Sequence, residues 1–137
     1  MVSQIFVNLP VKNLTKTMAF WKKLGFKFNP KFTDENAASL MIGKNMFAML
    51  ITEKFFKTFT KKRISDAKRV TEVLIALQVG SIKEVDSMVA KAIQAGGRMY
   101  RKPEVLDFMY TKVFEDLDGH QWEIFYFNMK KFPKKKK

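Results

Sequence analysis

A strand followed by a helix occurs twice in this chain, 68 residues apart, and that pattern limits its possible folds more than any other feature. Ile5, Val7, Leu9 and Val11 alternate with Phe6, Asn8 and Pro10, and a period of two with one apolar face reads as a strand. Asn13 then offers an N-cap, Leu14, Met18, Trp21 and Leu24 recur at helical spacing, and Gly25 stands where a helix ends in a left-handed residue. The pattern restarts at Val73–Val79, where Ile75, Leu77 and Val79 alternate with Leu74, Ala76 and Gln78. Ser81 and Glu84 make an S-x-x-E capping box, Ile82, Val85, Val89, Ala92 and Ile93 an apolar stripe, and Gly96-Gly97 a stop. Each unit is followed by three expected strands: 26–32, 37–42 and 46–52 in the first half, and 97–102, 108–115 and 121–127 in the second, with a turn at Asp118-Gly119. Superposing Val11 on Val79 brings Leu14 onto Ile82, so the halves read as structural copies within one α+β domain spanning 1–137. The expected divisions are a first module over about 4–56, a linker over about 57–70, a second module over about 71–128 and a basic tail at 129–137.

Composition narrows the function classes. A chain of 137 residues suits one core, and its 47% hydrophobic content, with 14 Phe, supplies one. No apolar run approaches the roughly 20 residues of a membrane span, and Met1 to Gln4 lead into the first strand without a signal-peptide pattern, so a cytoplasmic protein without membrane partners is expected. The absence of cysteine excludes disulfides, thiolate nucleophiles and cysteine metal sites, and a single histidine, His120, excludes a site of two or more histidines from one chain. The net charge of +13 is localised. Six lysines lie in the tail and 53–69 carries a net +5, which leaves +2 for the rest. That distribution reads as a solvated tail and a basic connecting segment, and argues against a nucleic acid as the main partner.

Three stretches, Phe6-Val7-Asn8-Leu9-Pro10-Val11-Lys12-Asn13-Leu14, Phe20-Trp21-Lys22-Lys23-Leu24-Gly25-Phe26 and Asp116-Leu117-Asp118-Gly119-His120-Gln121-Trp122-Glu123-Ile124, resemble the vicinal oxygen chelate superfamily. That superfamily contains glyoxalases, extradiol dioxygenases, fosfomycin-resistance enzymes and bleomycin-binding proteins, and the resemblance covers roughly 4–128. It implies two β-α-β-β-β modules forming a curved mixed sheet around a shared cavity, often in a homodimer. It also implies metal ligands at four inward positions, which here carry Phe6, Met49, Leu74 and Glu123. Phenylalanine and leucine have no lone pair to offer, and a thioether suits soft copper rather than zinc, iron, manganese or nickel. The expectation is therefore no metal and no cofactor, with His120 a turn residue.

The resemblance makes Phe6, Phe47, Met49, Leu74 and Phe125 the apolar lining of a ligand cavity, with Asn8, Gln78 and Glu123 as its polar points and Tyr110 as a further candidate of open facing. Core packing explains the same residues without a ligand. Glu123 is the one candidate catalytic group, as acid, base or anchor for a basic ligand group, against a reading as a carboxylate hydrogen-bonded to Asn8 or a backbone amide. Phe55, Phe56 and Phe59, at helical spacing among lysines, read as a linker helix packed on a sheet, with a lid, a dimer contact or a membrane-surface helix as alternatives. The leading expectation is a protein that binds a small organic molecule without the usual metal. The alternatives are a metal-dependent enzyme, resembling a lactoylglutathione lyase or an extradiol dioxygenase, and an RNA or acidic-surface adaptor working through Lys54 to Arg69 and Lys134 to Lys137.

Overall fold

The structure, a computed structural model, describes residues 1–133; the tail lysines at 134–137, on which the adaptor reading partly rests, lie outside the described residues. The chain separates into two compact units, Met1–Asp66 and a second from Ala67 onward. Each is a β-α-β-β-β module with its own four-stranded mixed sheet.

In the first unit, β1 (Ile5–Val11) leads into α1 (Leu14–Lys23), followed by β2 (Lys27–Asn29), β3 (Ala37–Gly43) and β4 (Met46–Thr52), with sheet order β1-β4-β3-β2. The β1–β4 pair is parallel and the other two are antiparallel. The Asn13 side chain caps α1 by accepting from Lys16 N–H at 3.0 Å, and Gly25, at φ +97°, reverses the chain after it. Alternation turns Leu9 and Val11 toward the helix, where Phe20, Trp21, Ala38, Leu40, Ala48 and Leu50 complete a buried core. Trp21 meets Phe20 and Phe26 edge-on at 5.4 and 5.2 Å, and each buried ring of this kind contributes roughly 3 kcal/mol. The strand expected over 26–32 is shorter. Pro30 has no N–H for the ladder, and a 3₁₀ turn, Pro30–Phe32, capped by the Asn29 side chain, replaces its second half. The helix expected over 53–63 is only α2 (Glu53–Phe56), after which the chain turns and the Phe55 and Phe59 rings meet at 5.0 Å.

In the second unit, β5 (Leu74–Gln78), α3 (Ile82–Gln94), β6 (Glu104–Val105), β7 (Met109–Glu115) and β8 (Gln121–Phe127) repeat the connectivity in sheet order β5-β8-β7-β6. The two main helices start exactly the expected offset apart, at Leu14 and Ile82. Ser81 Oγ accepts from Glu84 N–H at 3.1 Å, but the Glu84 carboxylate reaches past Ser81 to the Gly80 N–H at 3.0 Å, one residue beyond the reciprocal partner of a capping box. Val85, Val89 and Ala92 of α3 pack on Phe114, Trp122 and Ile124. The strand expected at 97–102 is reduced to one bridge, Arg98 with Glu115, and β6 forms later, beyond Pro103. Among the described residues, no helix is long and apolar enough to cross a membrane.

Candidate functional site

Each sheet has one face covered by its helix, and pairing register identifies what stands on the other. In the first unit Phe6 pairs with Phe47, and Asn8 with Met49, on the face away from Leu9 and Leu50. The Phe6 and Phe47 rings stack at 4.8 Å and 13°, and Phe6 remains 45% exposed, a flat aromatic surface at the edge of the sheet. Beside them Ser39 pairs with Met49; its hydroxyl is fully buried and has no hydrogen-bond partner among the described residues.

In the second unit Leu74 pairs with Gln121, Ala76 with Glu123 and Gln78 with Phe125, and β7 adds Thr111, Val113 and Glu115 to the same face. Asn8 and Ala76 are related by the repeat, so their partners Met49 and Glu123 occupy equivalent positions in the two modules. Gln121 is held by the Thr71 hydroxyl, which donates to its Oε1 at 2.6 Å. Glu123, with 24% of its side chain exposed, has the Arg101 guanidinium 3.8 Å away, beyond hydrogen-bonding distance. Among the described residues of the second unit, no backbone amide donates to it. Arg98 is committed differently, donating from Nε to Glu115 at 2.8 Å while its backbone exchanges both hydrogen bonds with Glu115. Tyr100 falls between these two arginines in the sequence, and its hydroxyl is buried without a hydrogen-bond partner among the described residues. Burial pushes its pKa up, the carboxylates of Glu123 and Glu115 push it further, and Arg101 partly opposes them.

Tyr110 stands apart from this group. Its register opposite Tyr126 puts it on the helix-covered face, where its hydroxyl donates to Asp86 of α3 at 2.6 Å. Lys112 joins the same carboxylate at 2.8 Å. The hydrogen bonds from Lys112 and Tyr110 hold Asp86 below the ordinary carboxylate range, and the bond to Asp86 raises both Lys112 and Tyr110. The Asp116–Gly119 stretch is a hairpin turn organised by Asp116, whose Oδ1 accepts from the Asp118 and His120 N–H groups and whose Oδ2 accepts from the Trp122 indole, all at 3.0 Å.

The structure thus brings the expected residues together in two sets: Phe6, Asn8, Phe47 and Met49 on one sheet face, and Leu74, Gln78, Glu123 and Phe125 on another. Tyr110 belongs to neither. Tyr100, Arg101 and Ser39 were not legible as site residues, because 97–102 lacks alternation and the facing of Ser39 follows only from the β3–β4 register. The four positions that would hold the family's metal offer one carboxylate, a thioether and two hydrocarbons, so the residues do not fit a hard or borderline divalent ion. No group of three or more metal-ligating side chains occurs among the described residues.

A profile of the Glyoxalase/Bleomycin resistance protein/Dioxygenase superfamily matches residues 4–124, and the chain belongs to that superfamily. Among solved structures, a hypothetical protein from S. aureus is 34% identical, with a TM-score of 0.78 and coverage of 92% of this chain and 95% of that one. A glyoxalase/bleomycin resistance protein/dioxygenase family enzyme from Burkholderia phytofirmans PsJN shares the fold at 17% identity, with a TM-score of 0.76 and coverage of 89% and 96%. The fosfomycin resistance protein FosX from Mesorhizobium loti does so at 13% identity, with a TM-score of 0.69 and coverage of 95% and 97%. No curated protein sequence matches the chain.

Proposed function

We propose that this chain is a small-molecule-binding member of the superfamily that works without the family's usual metal. The observation that carries the reading is the replacement of the metal ring by Phe6, Met49, Leu74 and a single carboxylate, Glu123. In the first unit the stacked Phe6 and Phe47 rings offer, with Met49, an apolar surface for a flat organic group; in the second unit, by itself, Glu123 offers a charged contact. Among the described residues of its unit no donor hydrogen-bonds to Glu123, and Arg101 stands at ion-pair distance only, which leaves the carboxylate oxygens for a ligand proton, either as an anchor or as a base. Homodimerisation is part of the proposal: β1 and β5 are edge strands, and Ile5, Phe6 and Leu74 leave apolar side chains exposed along them. Native mass spectrometry of protein purified without added metal tests all three parts. A metal-free dimer that retains or takes up an organic molecule is expected; stoichiometric zinc, nickel, manganese or iron would overturn the metal-free reading, and a monomer the dimer.

A further inference from the structure

Buried hydroxyls are almost always hydrogen-bonded, and one left without a partner calls for an explanation, such as a functional role or a water or ion that completes it. Tyr100 is such a hydroxyl, and it lies within a short segment fixed at one end. The backbone bridge and side-chain pair between Arg98 and Glu115 anchor the chain two residues before Tyr100. Tyr100 is followed by Arg101, a guanidinium 40% exposed and too far from Glu123, at 3.8 Å, to spend a hydrogen bond on it. The group therefore presents a phenol donor, a guanidinium donor and a carboxylate acceptor, none hydrogen-bonded to another, with Arg101 and Glu123 paired only at ion-pair distance. Burial and the neighbouring carboxylates keep the phenol protonated, so it remains a donor at neutral pH.

The net charge of the three is zero, and that selects the ligand. A bare anion meets the Glu123 carboxylate, and a bare cation meets Arg101. A molecule with an anionic group next to a hydrogen-bond donor satisfies all three. We propose that Tyr100, Arg101 and Glu123 form a recognition trio for a small organic acid carrying a hydroxyl or amino group beside its carboxylate. Tyr100 Oη and the Arg101 guanidinium take the carboxylate, and Glu123 takes the adjacent donor. This assignment rests on the small-molecule reading above and gives it a ligand class.

The test uses three probes that share a phenyl ring, measured by isothermal titration calorimetry on the full chain: mandelate, which has both groups, benzoate, which lacks the hydroxyl, and benzylamine, which is cationic. Mandelate is expected to bind at least about tenfold more tightly than either of the others, the usual effect of a paired against an unpaired buried group. Tyr100→Phe removes only the orphan hydroxyl, and Arg101→Gln alters an exposed side chain; each is expected to weaken mandelate about tenfold or more. Tyr126→Phe, on the helix-covered face of β8, leaves the affinity unchanged. The proposal is overturned if benzoate or benzylamine binds as tightly as mandelate, if Tyr100→Phe leaves mandelate affinity intact, or if mandelate does not bind in the millimolar range. Metal content measured on the same sample separates the two claims. A metal-loaded protein that needs Tyr100 for mandelate defeats the metal-free reading alone, and a metal-free protein indifferent to Tyr100 defeats the trio alone.

Discussion

Asp116→Ala removes the acceptor that holds the β7–β8 hairpin together. Three donors lose their partner: the backbone N–H groups of Asp118 and His120 and the indole N–H of Trp122. Each buried donor left unpaired costs about 1–3 kcal/mol. Trp122 is fully buried and Asp118 nearly so, whereas His120 is partly exposed and recovers some hydration. The expected loss at pH 7 is therefore about 3–5 kcal/mol, a large fraction of the 5–15 kcal/mol that holds a typical domain together. Urea unfolding followed by far-UV circular dichroism and tryptophan fluorescence reads it as a midpoint lowered by roughly 1–3 M. Trp122→Phe in the same background isolates the indole bond, because a double-mutant cycle with Asp116→Ala then shows a coupling of about 1–2 kcal/mol. Protonation adds a second signature. Burial pushes the Asp116 carboxyl above its ordinary 3.8, against the pull of His120, the Trp122 indole and the Asp118 amide. A raised folded pKa contributes stability that is complete below about pH 3.8 and is lost as pH rises through the folded value. The gap between wild type and Asp116→Ala is thus widest in acid and narrows toward neutral pH. A loss below about 1 kcal/mol at pH 7 would refute the reasoning, since two buried donors and a partly exposed one cannot lose their acceptor so cheaply.

Gly25 and Gly119 both adopt positive φ, at +97° and +90°, but a Cβ on Gly25 meets nothing within 4 Å, whereas one on Gly119 falls 2.7 Å from the Lys68 backbone nitrogen. Gly25→Ala is expected to lose about 1 kcal/mol by thermal unfolding and Gly119→Ala clearly more; equal losses would remove the steric argument. Asp86, held low by Lys112 and Tyr110, contributes stability above about pH 3.8 that disappears as pH falls through its lower folded value. Asp86→Asn therefore flattens the acid limb of the stability profile, by less than about 1 kcal/mol because the side chain is 47% exposed, and an unaltered limb counts against the cluster. Tyr110→Phe is expected to lose about 1 kcal/mol, while Tyr100→Phe, which discards an unpartnered hydroxyl, is expected to be neutral or stabilising in urea unfolding; a destabilised Tyr100→Phe would mean that the hydroxyl has a partner within the fold.

What was legible in the sequence follows from the range of the forces involved. β4 and β8 run over the expected residues because alternation and flanking turns are local, and Asn13 and Ser81 cap their helices because a cap acts within one turn. The losses occur where a non-local partner decides. Lysines and phenylalanines at helical spacing suggested a helix over 53–63, but only one turn forms. The facing of Tyr110 depends on Glu115 pairing with Gln121 across the hairpin, and periodicity within one strand does not report that register. Tyr100 and Arg101 lie in a segment held by a single bridge, so no repeating pattern marked them.

The two modules have diverged unequally, and the inequality bears on what the protein can recognise. Equivalent positions opposite Asn8 and Ala76 carry Met49 in one module and Glu123 in the other. Likewise Ser39, opposite Met49, corresponds to Val113, opposite Glu123. The first module keeps an aromatic stack, a thioether and a small hydroxyl on its free face; the second gathers Glu123, Arg101, Tyr100, Gln121 and the Arg98–Glu115 pair. A symmetric ring of metal ligands needs donors from both copies, and here nearly all the strong donors belong to one. Polar groups able to orient a ligand therefore concentrate in the second module, while the free face of the first offers apolar area with little directional preference. On the trio proposed above, substitutions at Tyr100, Arg101 or Glu123 should accordingly reorder the ranking of ligands. Titration of mandelate, benzoate and benzylamine against Glu123→Gln tests this: mandelate is expected to lose its advantage over benzoate, and an unchanged ranking would show that the carboxylate takes no part in recognition.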